Sequence, residues 1–403
     1  MTGNIDNRSI SIQVFLLMIF GTMLIDIRMF PVSLLGKFSV ASVLVLGLLL
    51  NLQHLRYAQN IFLIRKMTFW TTAPLIVWFA IYLYGLSNSS RGIDFYITAE
   101  LFFIISFFVL IAYNGHLLYP THLFIVLLGC LASVNFFVVI VETGGNIVIP
   151  GNPGGLFGFR TSLASASFYM MIFYCLYCLH NQIIPKKILV GILLLMIYLA
   201  NSRSVYGAVL FFGATFHFWP ILTKYKLLYF GLLASIVFLA VFFILLMVGD
   251  LGFLFPDEKL INTFFRLYTG GSLYSGREQL WPDILYQINL RPWLGHGPGY
   301  MPSDFLNTGW SSHNYYLQII LQTGFVGLSC LIMFIIYAWN EFRKFPDDNV
   351  IRLLASAIIS ILAQQIFVVS LTQNKMEQAI YFWYFIGLAL NRTRKLQLSG
   401  FKG

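Results

Sequence analysis

The chain has 403 residues, of which 59% are hydrophobic and only 10% are charged. Soluble domains are about one-quarter charged, so this composition excludes a soluble protein, and its low polarity excludes a disordered one. Four cysteines are too sparse for a disulfide-stapled secreted domain. A polytopic membrane protein remains, in which the placement of the net charge of +10 matters more than its size.

Polar breaks divide the chain into about twelve apolar stretches, and a spanning helix needs about 20 mostly apolar residues. The predicted spans are 10–27, 33–50, 68–86, 96–113, 122–142, 161–180, 188–201, 205–222, 227–248, 313–340, 351–371 and 378–390. Lipid offers the backbone no hydrogen-bond partners, which makes helices the default structure. The predicted fold class is therefore an all-α polytopic membrane protein with about 12 transmembrane helices.

Lysine and arginine near the span ends predict the orientation of the chain, because cytoplasmic loops carry the excess of basic residues. With the N-terminus in the cytoplasm, 15 basic residues lie on the cytoplasmic side and 10 on the outer side. We therefore expect both termini to be cytoplasmic.

One connection is much longer than the others, with about 60 residues between positions 250 and 312, and loops of that length are usually functional. Its stretch 277–288 has apolar residues at helical spacing, which predicts a short amphipathic helix at the outer membrane–water interface. The predicted organisation is an N-terminal bundle of about nine spans at 1–248, a large extracytoplasmic loop at 249–312, and about three spans with a cytoplasmic tail at 313–403.

Several cofactor and catalytic motifs are missing from the sequence. It has no P-loop that would indicate ATP, and no H-E-x-x-H or paired C-x-x-C spacing that would indicate zinc. The loops contain no D-x-D, and no Ser-His-Asp set is recognisable. The sequence therefore predicts neither a cofactor nor a metal.

The positive-inside bias makes arginines on the predicted outer side exceptions, and four of them are candidate site residues: Arg160, Arg203, Arg277 and Arg291. A guanidinium binds phosphate through two parallel N–H···O bonds, so several arginines in one cavity would suit a diphosphate. The alternatives are a snorkelling anchor for Arg203, a salt bridge to a neighbouring carboxylate for Arg277, and a structural role for Arg291.

The segment SSHNYYLQIILQTGFVG places His313 and Asn314 where the large loop enters a helix. A histidine there could exchange a proton near neutral pH, although capping or packing is the alternative. Gly324 and Gly327 follow within the span, where small residues let a neighbouring helix approach closely. His296 is the other histidine of this region, and two histidines are too few to predict a metal site.

Three tryptophans of the loop, Trp281, Trp293 and Trp310, could stack on sugar rings. Tryptophan is also common at membrane interfaces in general, which is the alternative reading for these positions. We include Trp281 among the candidate substrate-binding residues.

Four motifs occur in the order found in a known family. They are NSRS at 201–204, SGREQLW at 275–281, PWLGHGPGY at 292–300, and HN-x9-GxxG at 313–327. In these motifs the chain resembles the O-antigen ligase/polymerase superfamily, whose members are multi-span enzymes of polysaccharide assembly with one large extracytoplasmic loop. The resemblance covers about 130 residues, and the N-terminal half matches only in hydropathy and in the glycine-rich loop that ends at Arg160.

The resemblance implies a C-type glycosyltransferase architecture and an inverting, metal-independent reaction in the bacterial inner membrane. The donor would be an oligosaccharide on undecaprenyl diphosphate. The family's essential arginines map onto Arg203 and Arg277, with Arg160 as a third, and its essential histidine maps onto His313. Many members have a glutamate before the glycine pair, where this chain has Gln322. Arg160, Arg291, Asn314 and Trp281 are then the candidate substrate-binding residues.

Two enzyme functions and one transport function remain open at this point. A polymerase would move a growing chain onto a lipid-linked repeat unit to build O-antigen, capsule or exopolysaccharide, and a chain-length regulator protein would be a further partner. A ligase would move the finished chain onto lipid A core. A polysaccharide flippase would carry polar residues deep within several spans, and few appear in this chain.

Overall fold

The structure is a computed structural model that describes residues 7–28, 30–57, 61–89, 91–146, 153–249, 276–306, 311–373 and 375–400. Thirteen α-helices lie within these ranges: α1 Asn7–Thr22, α2 Phe30–Tyr57, α3 Ile61–Ser87, α4 Gly92–Asn114, α5 His122–Glu142, α6 Arg160–His180, α7 Lys187–Ala200, α8 Arg203–Lys224, α9 Lys226–Val248, α10 Arg277–Leu290, α11 Tyr315–Phe342, α12 Asn349–Gln364 and α13 Met376–Gly400. Short 3₁₀ helices lie at Gly115–Leu117, Gly155–Phe157 and Pro302–Asp304. Positions 250–275 and 307–310 of the large loop, including Trp310, lie outside the described residues.

Seven of the described helices are long and apolar enough to cross a membrane, and four shorter apolar helices accompany them. Every predicted span corresponds to one of α1–α9 or α11–α13, so the all-α polytopic fold class is confirmed. The helices end earlier than predicted at two places. The chain leaves α1 after Thr22 through a series of tight turns, and it leaves α12 after Gln364 for a non-helical segment that returns to the bundle.

The centre of the bundle is formed by α6, α12 and α13. Every side chain of α13 from 376 to 391 is buried, and α12 packs on α8 while α13 packs on α4. Helices that are apolar on all sides are buried when their neighbours can surround them. Peripheral helices instead expose large apolar side chains, such as Phe137 and Phe238, which suits contact with lipid.

Two sets of contacts define the ends of the bundle. At one end, which we call the site end, Lys375 immediately precedes α13. It bridges Asp26 and Ser162, and Ser162 lies in the first turn of α6. At the opposite end, hydrogen bonds join chain segments near positions 113, 223, 346 and 391. The opposite end contains the helix termini that the basic residues predict to be cytoplasmic, and the orientation itself stays a prediction.

The loop segment 292–297 is inserted into a break in α11. The break lies at Gly324, whose φ of 65° and ψ of −171° are not helical. Four backbone hydrogen bonds join the two segments: His296 N to Leu321 O (2.9 Å), Gly297 N to Gln322 O (3.0 Å), Phe325 N to Pro292 O (2.8 Å) and Val326 N to Trp293 O (3.2 Å). The inserted loop thereby pairs with backbone groups around the break in the helix.

Glycine is required where the two backbones meet. A Cβ at Gly324 would lie 2.1 Å from the carbonyl carbon of Trp293, and a Cβ at Gly295 would lie 2.4 Å from that of Gln322. The prediction of close helix packing is wrong at Gly324, because the neighbour is this loop and not a helix. It holds at Gly327, where an added Cβ would lie 3.3 Å from the indole of Trp78 in α3.

Candidate functional site

Three of the four candidate arginines are the first residues of helices: Arg160 begins α6, Arg203 begins α8 and Arg277 begins α10. His313 lies two residues before the start of α11 at Tyr315. The first N–H groups of a helix have no partner within it, and the helix dipole is positive there. No side-chain cap is present on α6, α8 or α10 among the described residues. The four candidates therefore occupy positions that favour an anion.

Electrostatic interactions connect these four residues in pairs. The positive charge of Arg203 interacts with that of Arg160, and the charge of Arg277 interacts with that of Arg203. The charge of Arg277 also acts on the imidazole of His313. Each of the three arginines also begins a helix, where the helix dipole is positive. An anion is the kind of ligand that such an arrangement favours.

Arg277 is held with part of its hydrogen-bonding capacity unused. Its Nη2 donates to the carbonyl oxygen of Phe367 at 3.3 Å, and its guanidinium carbon lies 5.8 Å from the ring centroid of the same residue. Its Nε is buried and has no hydrogen-bond partner among the described residues. Burial and then the charge of Arg203 lower the pKa of Arg277 to about 10, partly countered by Glu278. The side chain therefore remains cationic at neutral pH.

The backbone of His313 is in the left-handed region, with φ of 53°. This conformation costs energy for a residue with a side chain, and such strain is concentrated at functional sites. Burial, followed by the charge of Arg277, lowers the pKa of the His313 imidazole below its ordinary value of 6.5. The ring is therefore neutral at pH 7, which is the form that can accept a proton.

Asn314, and not His313, caps helix α11. Its Oδ1 accepts a hydrogen bond of 3.0 Å from the backbone N–H of Leu317, and the side chain is fully buried. Its Nδ2 has no partner in the described part of the chain. Asn314 thus fixes the start of the helix directly after His313, while the two N–H donors of its amide have no partner among the described residues.

Trp281 lies one turn after Arg277 and is completely buried. Its indole Nε1 donates to the backbone carbonyl of Ser312 at 2.8 Å. The ring is therefore not available for stacking on a sugar in this structure. Its observed contact instead joins α10 to the residue that precedes His313. Trp293, within the inserted loop, is different, because 70% of it is exposed.

Arg291 is separated from the other arginines. It is exposed at the C-terminal end of α10, about 20 Å along the helix from Arg277. Its carbonyl accepts from Gly295 N–H at 3.2 Å, which starts the inserted loop. This placement agrees with the structural alternative for Arg291 more closely than with diphosphate binding.

Gln322 stands where the resemblance to the superfamily leads us to expect glutamate. Its amide is paired with that of Gln373 through hydrogen bonds of 3.1 and 3.2 Å, and the hydroxyl of Tyr82 donates to its Oε1 at 3.3 Å. The residue is buried in a neutral hydrogen-bond network and therefore holds α3, α11 and the segment after α12 together.

His296 is also held by contacts within the fold. One ring nitrogen lies 2.8 Å from the carbonyl oxygen of Gln287, and the ring stacks on Tyr300 at 4.4 Å. Within the part of the chain that the structure describes, no group of three or more His, Cys, Asp or Glu side chains could hold a metal ion.

The structure adds neighbours that no motif indicated. Phe367 contributes its carbonyl oxygen and ring to Arg277 from the non-helical segment after α12. Lys375 lies at the same end of the bundle, hydrogen-bonded to Ser162 two residues after Arg160. The only signal for Lys375 in the sequence was its position among the basic residues of the predicted outer side.

Residues 188–332 match the family model described as O-antigen ligase. The matched segment includes Arg203, Arg277 and His313, whereas Arg160 lies before it. No curated protein matches the chain. The match supports, over residues 188–332, the resemblance to the O-antigen ligase/polymerase superfamily that is seen in the four motifs.

Proposed function

We propose that this membrane protein polymerises undecaprenyl-diphosphate-linked repeat units into O-antigen, capsule or exopolysaccharide at the bacterial inner membrane. The observation that carries the proposal is the electrostatic connection of Arg160, Arg203, Arg277 and His313 at helix N-termini. A diphosphate ester is the anion that such a set of fixed cations suits, and a neutral imidazole beside it suits a hydroxyl acceptor.

In the proposed reaction, the bond between the anomeric carbon and the diphosphate oxygen breaks, and negative charge grows on the leaving diphosphate. Arg203 and Arg277 stabilise this charge, with Arg160 beside them. Fixed cations in a partly buried site need no reorganisation as the charge develops, which is the most effective form of electrostatic catalysis. This role requires neither a metal nor a covalent intermediate.

His313 receives the proton of the acceptor hydroxyl as that oxygen forms its bond to the anomeric carbon. Attack on the face opposite to the leaving group inverts the anomeric configuration. The proton then passes from the imidazole to solvent, and undecaprenyl diphosphate leaves as the second product. The lowered pKa of His313 keeps the ring unprotonated before the attack and favours the later release of the proton.

A ligase is the second candidate, and the description of the matching family model favours it. The chemistry at the donor would be the same, because the leaving group is the same diphosphate. The acceptor would be a hydroxyl of lipid A core and not that of a lipid-linked repeat unit.

The surface glycans of a deletion strain distinguish the candidates on a gel that resolves lipopolysaccharide. Lipid A core with a single repeat unit, or loss of capsule or exopolysaccharide alone, indicates a polymerase. Bare lipid A core with long chains retained on undecaprenyl diphosphate indicates a ligase. Complementation with His313→Ala should fail, whereas His217→Ala, an exposed histidine at the opposite end, should restore the wild-type pattern. An unchanged glycan profile in the deletion strain would contradict both functions.

A further inference from the structure

The chain that follows α12 turns away from the helix axis although no proline or glycine breaks the helix. None occurs between positions 353 and 373, and the residues after the turn are mostly apolar. The backbone nevertheless forms a turn at 365–367 and stays non-helical to 373, and most of these residues are buried. Buried N–H and C=O groups outside a helix need other hydrogen-bond partners. Specific contacts must therefore hold this turn.

The side chain of Gln365 provides such contacts. Its Oε1 accepts a hydrogen bond from the backbone N–H of Ser370 at 3.1 Å, and its Nε2 donates to the hydroxyl of Ser370 at 2.9 Å. In a continuing helix the Ser370 N–H would instead donate to the carbonyl of Ile366. Both Gln365 and Ser370 are completely buried, so water does not compete for these bonds. The Gln365 amide thus closes a turn over residues 365–370, which we call the clasp.

Phe367 lies within the clasp and is the residue that contacts Arg277. Its carbonyl oxygen accepts from Arg277 Nη2 at 3.3 Å, and its ring centroid lies 5.8 Å from the guanidinium carbon. The same ring packs edge to face against Phe243 of α9, with 4.9 Å between the ring centroids. In a continuing helix this carbonyl would accept from the N–H of residue 371. The clasp therefore makes the carbonyl of Phe367 available to the arginine.

The backbone of Gln365 contacts the segment that carries His313. Its carbonyl oxygen accepts a hydrogen bond of 2.9 Å from the N–H of Tyr315, which is the first residue of α11. That N–H has no partner within its own helix. Gln365 therefore holds the start of α11, two positions after His313, and its side chain holds the turn that reaches Arg277.

We propose, on the basis of the function proposed above, that Gln365 is a positioning residue for the reaction, because it fixes Arg277 and His313 relative to each other. It acts through Phe367 and Tyr315 and not by contact with the substrate. The transfer needs the guanidinium at the leaving diphosphate and the imidazole at the acceptor hydroxyl at the same time. A displacement of about 1 Å between such groups costs up to about a hundredfold in rate. Loss of the clasp should therefore slow the chemical step more than it weakens substrate binding.

Gln365→Met tests the clasp, because methionine is flexible and apolar and cannot form the two bonds to Ser370. In lipid nanodiscs with a synthetic undecaprenyl-diphosphate-linked repeat unit, kcat should fall about tenfold while KM changes less than about twofold. Gln364→Met is the matched control, since Gln364 is also buried at the end of α12 and its Nε2 donates to Ser165 at 3.0 Å. Both variants should lose similar stability in a thermal melt, and the control should keep the wild-type kcat.

A double variant separates positioning of Arg277 from a general loss of structure. In the Arg277→Gln background, Gln365→Met should lower the rate less than about twofold, because the contact that the clasp supports is already gone. A further loss of about tenfold in that background would overturn the proposal. An unchanged kcat in Gln365→Met alone would also overturn it.

Ser370→Ala is a milder variant that keeps the test valid if Gln365→Met does not fold. It removes the hydroxyl from the clasp and leaves the backbone bond from Ser370 to Gln365 Oε1. It should lower kcat by about threefold. Wild-type kcat in Ser370→Ala would then count against the clasp.

Modification of His313 by diethyl pyrocarbonate provides a measurement that needs no substrate. The charge of Arg277 lowers the pKa of the His313 imidazole. A guanidinium released from Phe367 spends less time beside the ring, so the pH midpoint of modification should rise in Gln365→Met toward that of Arg277→Gln and stay unchanged in Gln364→Met. A raised midpoint together with no product from the wild type would contradict the proposed function and leave the clasp intact. An unchanged midpoint in Gln365→Met would overturn the clasp as a link between the two residues.

Discussion

Trp281 and Ser312 are joined by a hydrogen bond of 2.8 Å from a fully buried indole to a backbone carbonyl. Trp281 is one helical turn after Arg277, and Ser312 directly precedes His313. This contact therefore links the helix that begins with the candidate phosphate-binding arginine to the segment of the candidate base. It provides a fixed spacing between the two groups that the proposed reaction uses.

Replacing Trp281 with phenylalanine should lower activity by roughly tenfold, because small displacements of catalytic groups are costly. Stability should fall by about 1 kcal/mol for the lost hydrogen bond. Trp219→Phe is a matched control, because Trp219 is equally buried and donates to the carbonyl of Pro346 at the opposite end. Both variants should lose similar stability in a thermal melt, and only Trp281→Phe should lose activity. Equal activity in the two variants would remove the positioning role.

Hydropathy alone predicted the class of fold and the approximate position of each span, since lipid restricts the backbone to helices. The prediction of a helix at 277–288 is also confirmed, because the structure has an α-helix at Arg277–Leu290. Helix ends were less predictable. The apolar residues after Gln364 continue the hydropathy of the span, but the backbone there turns back to supply the carbonyl of Phe367 to Arg277.

The roles of individual residues depended on contacts between distant parts of the sequence. A tryptophan in a loop suggests an exposed ring, and Trp281 is instead buried by its neighbours in α9 and α11. The glycine at 324 suggested helix packing, and the loop 292–297 occupies that space. Lys375 contacts Asp26 and Ser162, which lie 349 and 213 positions away in the sequence. No local sequence pattern therefore predicts these contacts.

The arginines at helix N-termini should destabilise the protein in the absence of a ligand. Arg277→Gln removes a cation from the start of α10 and should raise the melting temperature by about 1–2 °C, while product formation falls at least a hundredfold. Arg291→Gln, at the other end of the same helix, should instead lower the melting temperature slightly, because a cation is favourable there. Melting of the two purified variants without lipid tests this prediction. A lower melting temperature for Arg277→Gln would show that Arg277 stabilises the fold.

The His313 imidazole should become protonated only below pH 6.5. The pKa is lowered by burial and by Arg277, so the neutral ring is lost only as pH falls through this depressed pKa. The free energy of unfolding depends on the same titration. The contribution of the neutral His313 is fully present above the ordinary pKa of 6.5 and is lost as pH falls through the depressed pKa. Modification of the His313 peptide by diethyl pyrocarbonate, followed by mass spectrometry from about pH 4.5 to 7.5, measures the midpoint.

In Arg277→Gln the midpoint of this modification should move to higher pH, because the repulsive charge is gone while burial remains. His217 serves as the internal reference in the same digests, since it is exposed at the opposite end of the bundle. An unchanged His313 midpoint in Arg277→Gln would contradict the electrostatic connection between the two residues.

Gly324→Ala should disrupt the break in α11. The added Cβ would lie 2.1 Å from the backbone of Trp293, and φ of 65° is strained for alanine. We expect a loss of about 2 kcal/mol or more and loss of complementation, because the loop 292–297 cannot keep its backbone hydrogen bonds. Gly191→Ala in α7 is the control, since no described atom lies within 4 Å of its added Cβ. Equal melting temperatures for both variants would contradict the role of the inserted loop.

The most direct test of the account uses the purified protein in lipid nanodiscs with a synthetic undecaprenyl-diphosphate-linked repeat unit. Mass spectrometry then measures the lengthened glycan and the released undecaprenyl diphosphate. The wild type and His217→Ala should form both products, whereas His313→Ala and Arg277→Gln should form at most about one-hundredth as much. Products formed by His313→Ala and Arg277→Gln at the wild-type rate would contradict the assignment of this site.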